Sequence, residues 1–231
     1  MLNIDFSHKE FSNYEAMYYD VLSNNGPAED SNNEILTQIK LDVNRTFRSY
    51  NLKFLSSHTA KGKNKLYNLL KVYALILDPD IGYTQGMNFI AALILMHVPN
   101  QALACRIFTQ VLEKDNWARM YISSTPKLFE ICQLLTERIE VEIPVLYETL
   151  IQHEVVLEAV FASPLMTLFA NLLTFSEATH VLNMFILEGE QFIVDLLMNI
   201  LKNMTMEILK FDSQFEIQQY MSRKMFIQAI N

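Results

Sequence analysis

The chain has 231 residues, of which 51% are hydrophobic, enough for a substantial core and more than a disordered chain would contain. Its 26 acidic and 18 basic residues give a formal net charge of −8, and the basic residues form no continuous run, which argues against nucleic acid as a partner. The longest unbroken apolar stretch, residues 89–96, is far shorter than the roughly 20 residues that a helix needs to span a bilayer, so no transmembrane segment is expected.

Several further classes of protein are not supported by the residues present. The first residues lack a basic leader and an apolar segment, so no secretory signal is predicted. Two cysteines in helix-like patterns, Cys105 and Cys132, do not indicate a disulfide framework, and the five histidines lack metal-ligand spacing. No G-x-x-x-x-G-K motif occurs. We therefore expect a cytoplasmic chain that binds no metal or nucleotide by itself.

The first part of the chain contains two predicted helices. Apolar residues at spacings of three and four predict a short helix over residues 14–22. Ser31 and Glu34 have the spacing of a capping box, which predicts the start of a second helix over about residues 32–46. Residues 47–64 show no periodicity and are interpreted as a connector.

The helical period returns in the middle of the chain. Helices are predicted over residues 66–77, 87–98, 102–113 and 126–139. Pro79 is expected to end the first of these. The second is apolar almost all round, which is typical of a helix buried on every side, and should be the central helix. Thr125 is the predicted N-cap of the last, with Pro126 at its first position.

The C-terminal part contains the remaining predicted helices. They are expected over residues 144–152, 164–173, 176–189, 190–209 and 214–230. Ser163 and Pro164 are interpreted as a helix start, Gly189 as a helix end, and Ser213 with Glu216 as a second capping box. No long segment alternates with period two, and no fixed repeat occurs. The sequence thus predicts an all-α fold of about eleven helices in a single domain over residues 1–231.

Residues 78–88, DPDIGYTQGMN, contain two of the five glycines of the chain. Gly82 and Gly86 bracket a three-residue segment that includes Tyr83 and Gln85. Because glycine permits positive φ and close backbone approach, this spacing predicts a specific bend that can press Gln85 towards a partner. The alternative is an ordinary corner between helices, in which Gln85 only hydrogen-bonds the turn.

Asp42 and Arg45 lie three residues apart on the second predicted helix, so their side chains can meet. Such a pair is usually a surface pair that contributes about 0.2–0.5 kcal/mol. On this interpretation, replacing Asp42 should leave the melting temperature almost unchanged.

Taken together, these two motifs are more specific than either alone. IKLDVNRTF at residues 39–47, followed by DPDIGYTQGMNFIAALILM at residues 78–96, resembles the TBC domain of Rab GTPase-activating proteins. FASPLMTLFANLL and FILEGEQFIVDLLMNILK resemble later helices of that family, so the resemblance covers about residues 14–222. The I-x-x-D-x-x-R and Y-x-Q motifs are highly specific to the family, whose fold is all-helical.

The resemblance implies a function in vesicle trafficking and intracellular protein transport. The chain would accelerate GTP hydrolysis by a Rab-type small GTPase in its GTP form, with Arg45 as the arginine finger and Gln85 as the glutamine finger. GTP and Mg²⁺ would belong to the partner, so the chain itself would need no cofactor and hydrolyse no nucleotide alone. The expected location is cytoplasmic, with peripheral recruitment to endomembranes left open.

The resemblance also assigns supporting residues. Asp42 would hold the guanidinium of the arginine finger, while Tyr83, Gly82 and Gly86 would position the glutamine finger. Residues 180–183 read HVLN where the family has R-I-W-D, so an aromatic and an acidic residue are absent, although Leu182 should still fill the apolar site. The N-terminal helices of the family are absent or divergent. Which Rab is recognised, and whether activity survives these departures, stay open, as do the oligomeric state and any targeting region.

Two alternatives compete with the activator. A catalytically silent TBC-like scaffold would bind a small GTPase or another trafficking protein without turnover. The intact Arg45 and Gln85 favour the activator, because a scaffold has no physical need for either. A helical bundle unrelated to GTPases would require both motifs to arise by coincidence.

Overall fold

The structure is a computed structural model that describes residues 8–24, 33–49 and 60–230. Within these ranges the backbone forms helices and turns and contains no β-strand, which confirms the all-α fold class. The chain divides into two compact units, residues 1–121 (unit 1) and residues 122–231 (unit 2). The single domain expected over residues 1–231 stays a prediction.

Unit 1 contains five α-helices in its described residues. They are α1 (His8–Asn24), α2 (Glu34–Ser49), α3 (Ala60–Val72), α4 (Met87–His97) and α5 (Gln101–Glu113). A π segment, Tyr73–Leu77, extends α3, and a 3₁₀ segment, Lys114–Met120, follows α5. The α3 extension ends at Leu77, and its C-cap Asp78 lies directly before Pro79, as predicted.

The helix starts of unit 1 differ from the predicted ones for local reasons. The Oδ1 atom of Asn33 accepts hydrogen bonds from the backbone N–H groups of Ile35 (3.0 Å) and Leu36 (3.3 Å) and thereby caps α2. The capping box expected at Ser31 lies outside the described residues. The connector expected over residues 47–64 is wrong at both ends, since α2 continues to residue 49 and α3 begins at residue 60. The first turns of α3 contain no large apolar residue, so they show no hydrophobic period.

The core of unit 1 surrounds α4, which packs against α2, α3 and α5. From Met87 to Ile94 every residue of α4 except Phe89 is buried, which confirms the predicted central helix. Tyr73 packs edge-to-face on Phe108, with ring centroids 5.0 Å apart. The bend at residues 78–86 leads directly into this buried helix.

Unit 2 contains seven α-helices in its described residues. They are α6 (Pro126–Glu142), α7 (Pro144–Gln152), α8 (Leu157–Met166), α9 (Phe175–Glu188), α10 (Glu190–Ile208), α11 (Gln214–Gln219) and α12 (Met225–Ile230). A π segment, Tyr220–Lys224, joins the last two into one continuous helix. Counted in this way, the described residues form eleven α-helices, in agreement with the predicted number.

The helix ends of unit 2 follow the predicted signals in part. As predicted, Pro126 and Pro144 lie at helix starts and Gly189 lies at a helix end, where its φ is 76°. Thr125 makes no capping bond, because its own φ of 43° is left-handed. The helix predicted to start at Pro164 is wrong: Pro164 lies inside α8, which ends at Met166, and the backbone then leaves the helical conformation with positive φ at Leu168 (44°) and Phe169 (61°).

Two capping residues complete unit 2. Thr174, and not a residue at position 176, caps α9 through a reciprocal capping box with Glu177. Ser213 caps α11 as predicted, accepting from the N–H of Glu216 at 3.3 Å. The core of the unit includes Phe226, whose ring meets two other phenylalanine rings edge-to-face. No helix among the described residues is both long enough and apolar enough to cross a bilayer.

Candidate functional site

The two predicted finger residues meet on unit 1. Arg45 lies near the end of α2, and Gln85 lies in the bend that precedes α4, 40 residues further along the chain. The Nη2 atom of Arg45 donates a hydrogen bond of 2.8 Å to Oε1 of Gln85. The Arg45 side chain is 50% exposed and Gln85 is exposed, so both polar groups are accessible from solvent. We refer to Arg45 and Gln85 as the finger pair.

Asp42 is the central acceptor beneath the finger pair. Its side chain is fully buried (0% exposed) and forms an ion pair with the guanidinium of Arg45. Tyr83 donates its hydroxyl hydrogen to Oδ2 of Asp42 at 2.7 Å, and Gln38 donates from Nε2 to Oδ1 at 3.2 Å. One carboxylate therefore connects α2 with the bend and orients the guanidinium.

The interpretation of Asp42 and Arg45 as a surface pair is wrong for Asp42. Its neighbours on α2, Ile39 and Val43, are also buried, so this part of the helix faces the core. The carboxylate is covered in part by Tyr83, which lies 41 residues away in sequence. Because removal of a buried acceptor leaves its donors without partners, replacement of Asp42 should affect stability as well as geometry.

Burial raises the pKa of the Tyr83 hydroxyl above its ordinary value of 10.0, and the hydrogen bond to Asp42 raises it further, while Arg45 lowers it. A tyrosine with a raised pKa keeps its proton throughout the physiological range. Tyr83 therefore remains a hydrogen-bond donor to Asp42 at any pH at which the protein would act.

Both glycines of the bend have backbone conformations that favour glycine. The φ angles of Gly82 and Gly86 are 65° and 117°. A Cβ atom on Gly82 would lie 3.8 Å from its nearest neighbours, so the requirement there is conformational and not steric. The N–H of Gly82 donates to the carbonyl of Asp78 (2.9 Å), and the Thr84 hydroxyl donates to the carbonyl of Tyr121 (3.1 Å). The bend is thus held at two positions before Gln85.

Two buried polar residues near the finger pair were not predicted from the sequence. Thr46 follows Arg45 on α2 and Asn88 lies in the first turn of α4; both are 0% exposed. The Nδ2 atom of Asn88 donates to Oγ1 of Thr46 (2.5 Å), which in turn donates to the backbone carbonyl of Asp42 (2.6 Å). A polar residue inside the apolar run at residues 87–96 was the available signal.

Two other expectations from the sequence concern the divergent segment and metal binding. The divergent segment at residues 180–183 lies on α9 in unit 2, where Val181 and Leu182 are buried and the two flanking residues are exposed. Leu182 thus fills an apolar site, as expected. In the part of the chain that the structure describes, no group of three or more His, Cys, Asp or Glu residues is placed to hold a metal ion.

The fold defines a class of all-helical domains. It is similar to the crystal structure of the Chlamydomonas flagellar RabGAP TBC domain, with a TM-score of 0.70 and 16% identity over 95% of this chain and 72% of that chain. It is also similar to the crystal structure of the Ypt/Rab-GAP domain of Gyp1p, with a TM-score of 0.71 and 15% identity over 93% of this chain and 74% of that chain. At these identities the likeness shows the fold alone.

The family follows from the sequence. The model of the Rab-GTPase-TBC domain family matches residues 1–209, and the chain belongs to this family. The matched range begins upstream of residue 14, where the motif resemblance starts, and ends before residue 222.

Two curated relatives are much longer than this chain. TBC1 domain family member 1 of Homo sapiens is 29% identical over 168 residues, which cover 71% of this chain and 14% of that protein. GTPase-activating protein GYP5 of Saccharomyces cerevisiae is 27% identical over 176 residues, which cover 75% of this chain and 19% of that protein. The chain thus spans less than a fifth of the length of either relative.

Proposed function

We propose that this chain accelerates GTP hydrolysis by a Rab-type small GTPase in its GTP form, with Arg45 and Gln85 entering the active site of the partner. The observation that carries the proposal is the 2.8 Å hydrogen bond between the two exposed side chains. Two groups that act on one phosphoryl transfer must reach the same few ångströms of space, and the finger pair meets this requirement.

The chemistry of the two side chains suits this reaction. Negative charge shifts among the phosphate oxygens as the γ-phosphoryl group leaves, and a fixed guanidinium stabilises it where water would have to reorganise. The amide of Gln85 has one acceptor oxygen and an N–H₂ donor, which allows it to orient the attacking water and contact the phosphate region together. GTP and Mg²⁺ would be held by the partner, so the chain itself supplies neither.

The support beneath the finger pair adds to the proposal. The buried Asp42 orients the guanidinium from below, so less conformational freedom is lost when Arg45 enters another active site. An arginine with half of its side chain exposed keeps its other N–H groups available to a phosphate.

We further propose that the protein acts in vesicle trafficking and intracellular protein transport, in the cytoplasm or after peripheral recruitment to endomembranes.

The test is single-turnover hydrolysis of GTP by a panel of purified Rab GTPases, with and without the chain. Arg45→Ala should reduce the stimulated rate by about 10³- to 10⁵-fold, and Arg45→Lys should restore little of it, because an ammonium cannot reproduce the planar fork. Lys40→Ala is the matched control: it removes a positive charge from the same helix at a side chain that lies over the Tyr67 ring.

Two results would contradict the proposal. If Arg45→Ala kept nearly the full activity of the wild-type chain, Arg45 would not be an arginine finger. A wild-type chain that binds a Rab but stimulates none of the panel would instead identify a scaffold.

A further inference from the structure

The finger pair rests on a buried polar connection between the two segments that carry it. Asn88 uses both ends of its side-chain amide: Oδ1 accepts from the N–H of Gly86 at 3.0 Å, and Nδ2 donates to the Thr46 hydroxyl at 2.5 Å. The same hydroxyl donates to the carbonyl of Asp42 at 2.6 Å. The connection thus runs from Gly86, directly after Gln85, to Thr46, directly after Arg45, and on to the carbonyl of Asp42.

The directions of these bonds are mutually consistent. A hydroxyl has one hydrogen to donate and lone pairs to accept with, and Thr46 uses its hydrogen for Asp42 and a lone pair for Asn88. A buried amide or hydroxyl is costly unless it is hydrogen-bonded, and an apolar pair of similar size would avoid that cost altogether. The presence of two polar side chains at 0% exposure therefore points to a requirement for position rather than for core packing.

The bond to Gly86 has a direct geometric consequence. The N–H of Gly86 belongs to the peptide plane that follows Gln85, so holding this N–H sets the orientation of that plane. At the other end, Thr46 is the next residue after Arg45 on α2. A shift in the Thr46–Asn88 contact therefore changes the separation of the two finger-bearing segments.

We propose that Thr46 and Asn88 are positioning residues for the finger pair, acting through the hydrogen bond between them to set the spacing of Arg45 and Gln85. This inference rests on the proposed function. The competing explanation is local: Asn88 lies in the first turn of α4 and would only stabilise the start of that helix. The two explanations differ in what they predict for turnover per folded molecule.

The decisive comparison uses two buried threonines of unit 1 whose hydroxyls both donate to the carbonyl four residues earlier. Thr46→Val removes the hydroxyl with little change in volume. Thr109→Val is the matched control, since Thr109 is also buried in a helix of unit 1, and its hydroxyl donates to the carbonyl four residues earlier at 3.0 Å. Thr46→Ser keeps the hydroxyl and should rescue the defect.

Single-turnover hydrolysis is measured over a range of concentrations of a responsive GTPase. Misplacement of a catalytic group by about 1 Å can cost on the order of 10²-fold, so Thr46→Val should lower the saturated rate constant by about 10- to 100-fold, with a much smaller change in the half-saturating concentration. Thr46→Ser should recover most of the rate, and Thr109→Val should stay close to wild type. Equal rates in Thr46→Val and Thr109→Val would overturn the proposal.

Amide hydrogen exchange of Gly86, followed by NMR, gives a readout that does not depend on activity. Thr46→Val should accelerate this exchange more than Thr109→Val does, since Asn88 loses its anchor. If wild type stimulates no GTPase, the proposed function fails, and the exchange rates alone decide the positioning claim: equal rates in the two variants overturn it. If Thr46→Val does not fold, Thr46→Ala and Thr109→Ala replace the pair in both measurements.

Discussion

Replacement of Asp42 should reduce both stability and activity, by amounts that follow from its partners. In Asp42→Ala the half-buried Tyr83 hydroxyl loses its acceptor, and leaving a buried donor unpaired costs about 1–3 kcal/mol. The larger cost of a broken buried ion pair, about 3–5 kcal/mol, does not apply in full, because Arg45 is half exposed and can bind water instead. We expect a total loss of about 2–3 kcal/mol.

Thermal unfolding followed by circular dichroism measures this loss. For a chain of this length, about 2–4 °C of melting temperature corresponds to each kcal/mol, so Asp42→Ala should lower Tm by about 4–12 °C. Asp42→Asn keeps an oxygen for Tyr83 and should lose only about 1 kcal/mol. In single-turnover hydrolysis both variants should be slower than wild type but faster than Arg45→Ala, since the guanidinium is present but less well oriented.

Asp78→Asn is the matched control for this pair of measurements. Asp78 also accepts from a tyrosine hydroxyl, that of Tyr73 at 3.3 Å, but forms no ion pair with an arginine among the described residues. Its replacement should affect stability without the same loss of turnover. A melting temperature within about 1 °C of wild type for Asp42→Ala would refute the argument from burial, and full activity in that variant would refute the orienting role.

Three further predictions concern Gln85, Gly82 and the stability of the protein at alkaline pH. Gln85→Ala should leave Tm unchanged, because this side chain is exposed. It should nevertheless abolish the stimulation of GTP hydrolysis, including that of Rabs whose own catalytic glutamine is replaced. Stimulation that survives Gln85→Ala but needs the Rab glutamine would contradict the role of Gln85 as a glutamine finger. Gly82→Ala should lower the unfolding free energy measured in urea by about 1–2 kcal/mol, because its φ of 65° is left-handed, and an unchanged midpoint would contradict this. Burial raises the pKa of several tyrosines of unit 1 above 10.0, so unfolding releases protons above that pH. The stability of the fold is therefore intact below about pH 10 and should fall as the pH rises further. Comparing Tm at about pH 8 and about pH 11 measures this fall. Tyr18→Phe should keep the Tm at neutral pH and show a smaller alkaline loss, and an equal loss in both proteins would exclude Tyr18 as a contributor.

Local sequence signals determined much of the secondary structure. The apolar run at residues 87–96 predicted a buried central helix, because a helix that is apolar on all faces can be stable only inside a core. Prolines at positions 126 and 144 marked helix starts, since the missing N–H costs nothing in a first turn. The same rule failed at Pro164, where preceding apolar residues pack well enough to support helical turns before the proline.

The site divides along the same line. Glycine spacing singled out the bend around Gln85, because the conformational freedom of glycine is a property of single residues, and the resemblance to the TBC family assigned Arg45 and Gln85 as the finger residues. Only the tertiary structure decided that Arg45 and Gln85 hydrogen-bond each other, that Asp42 is buried, and that Asn88 reaches Thr46. Each of these contacts joins residues about 40 positions apart or depends on what covers a helix face, and a periodicity of three to four residues carries no information about either.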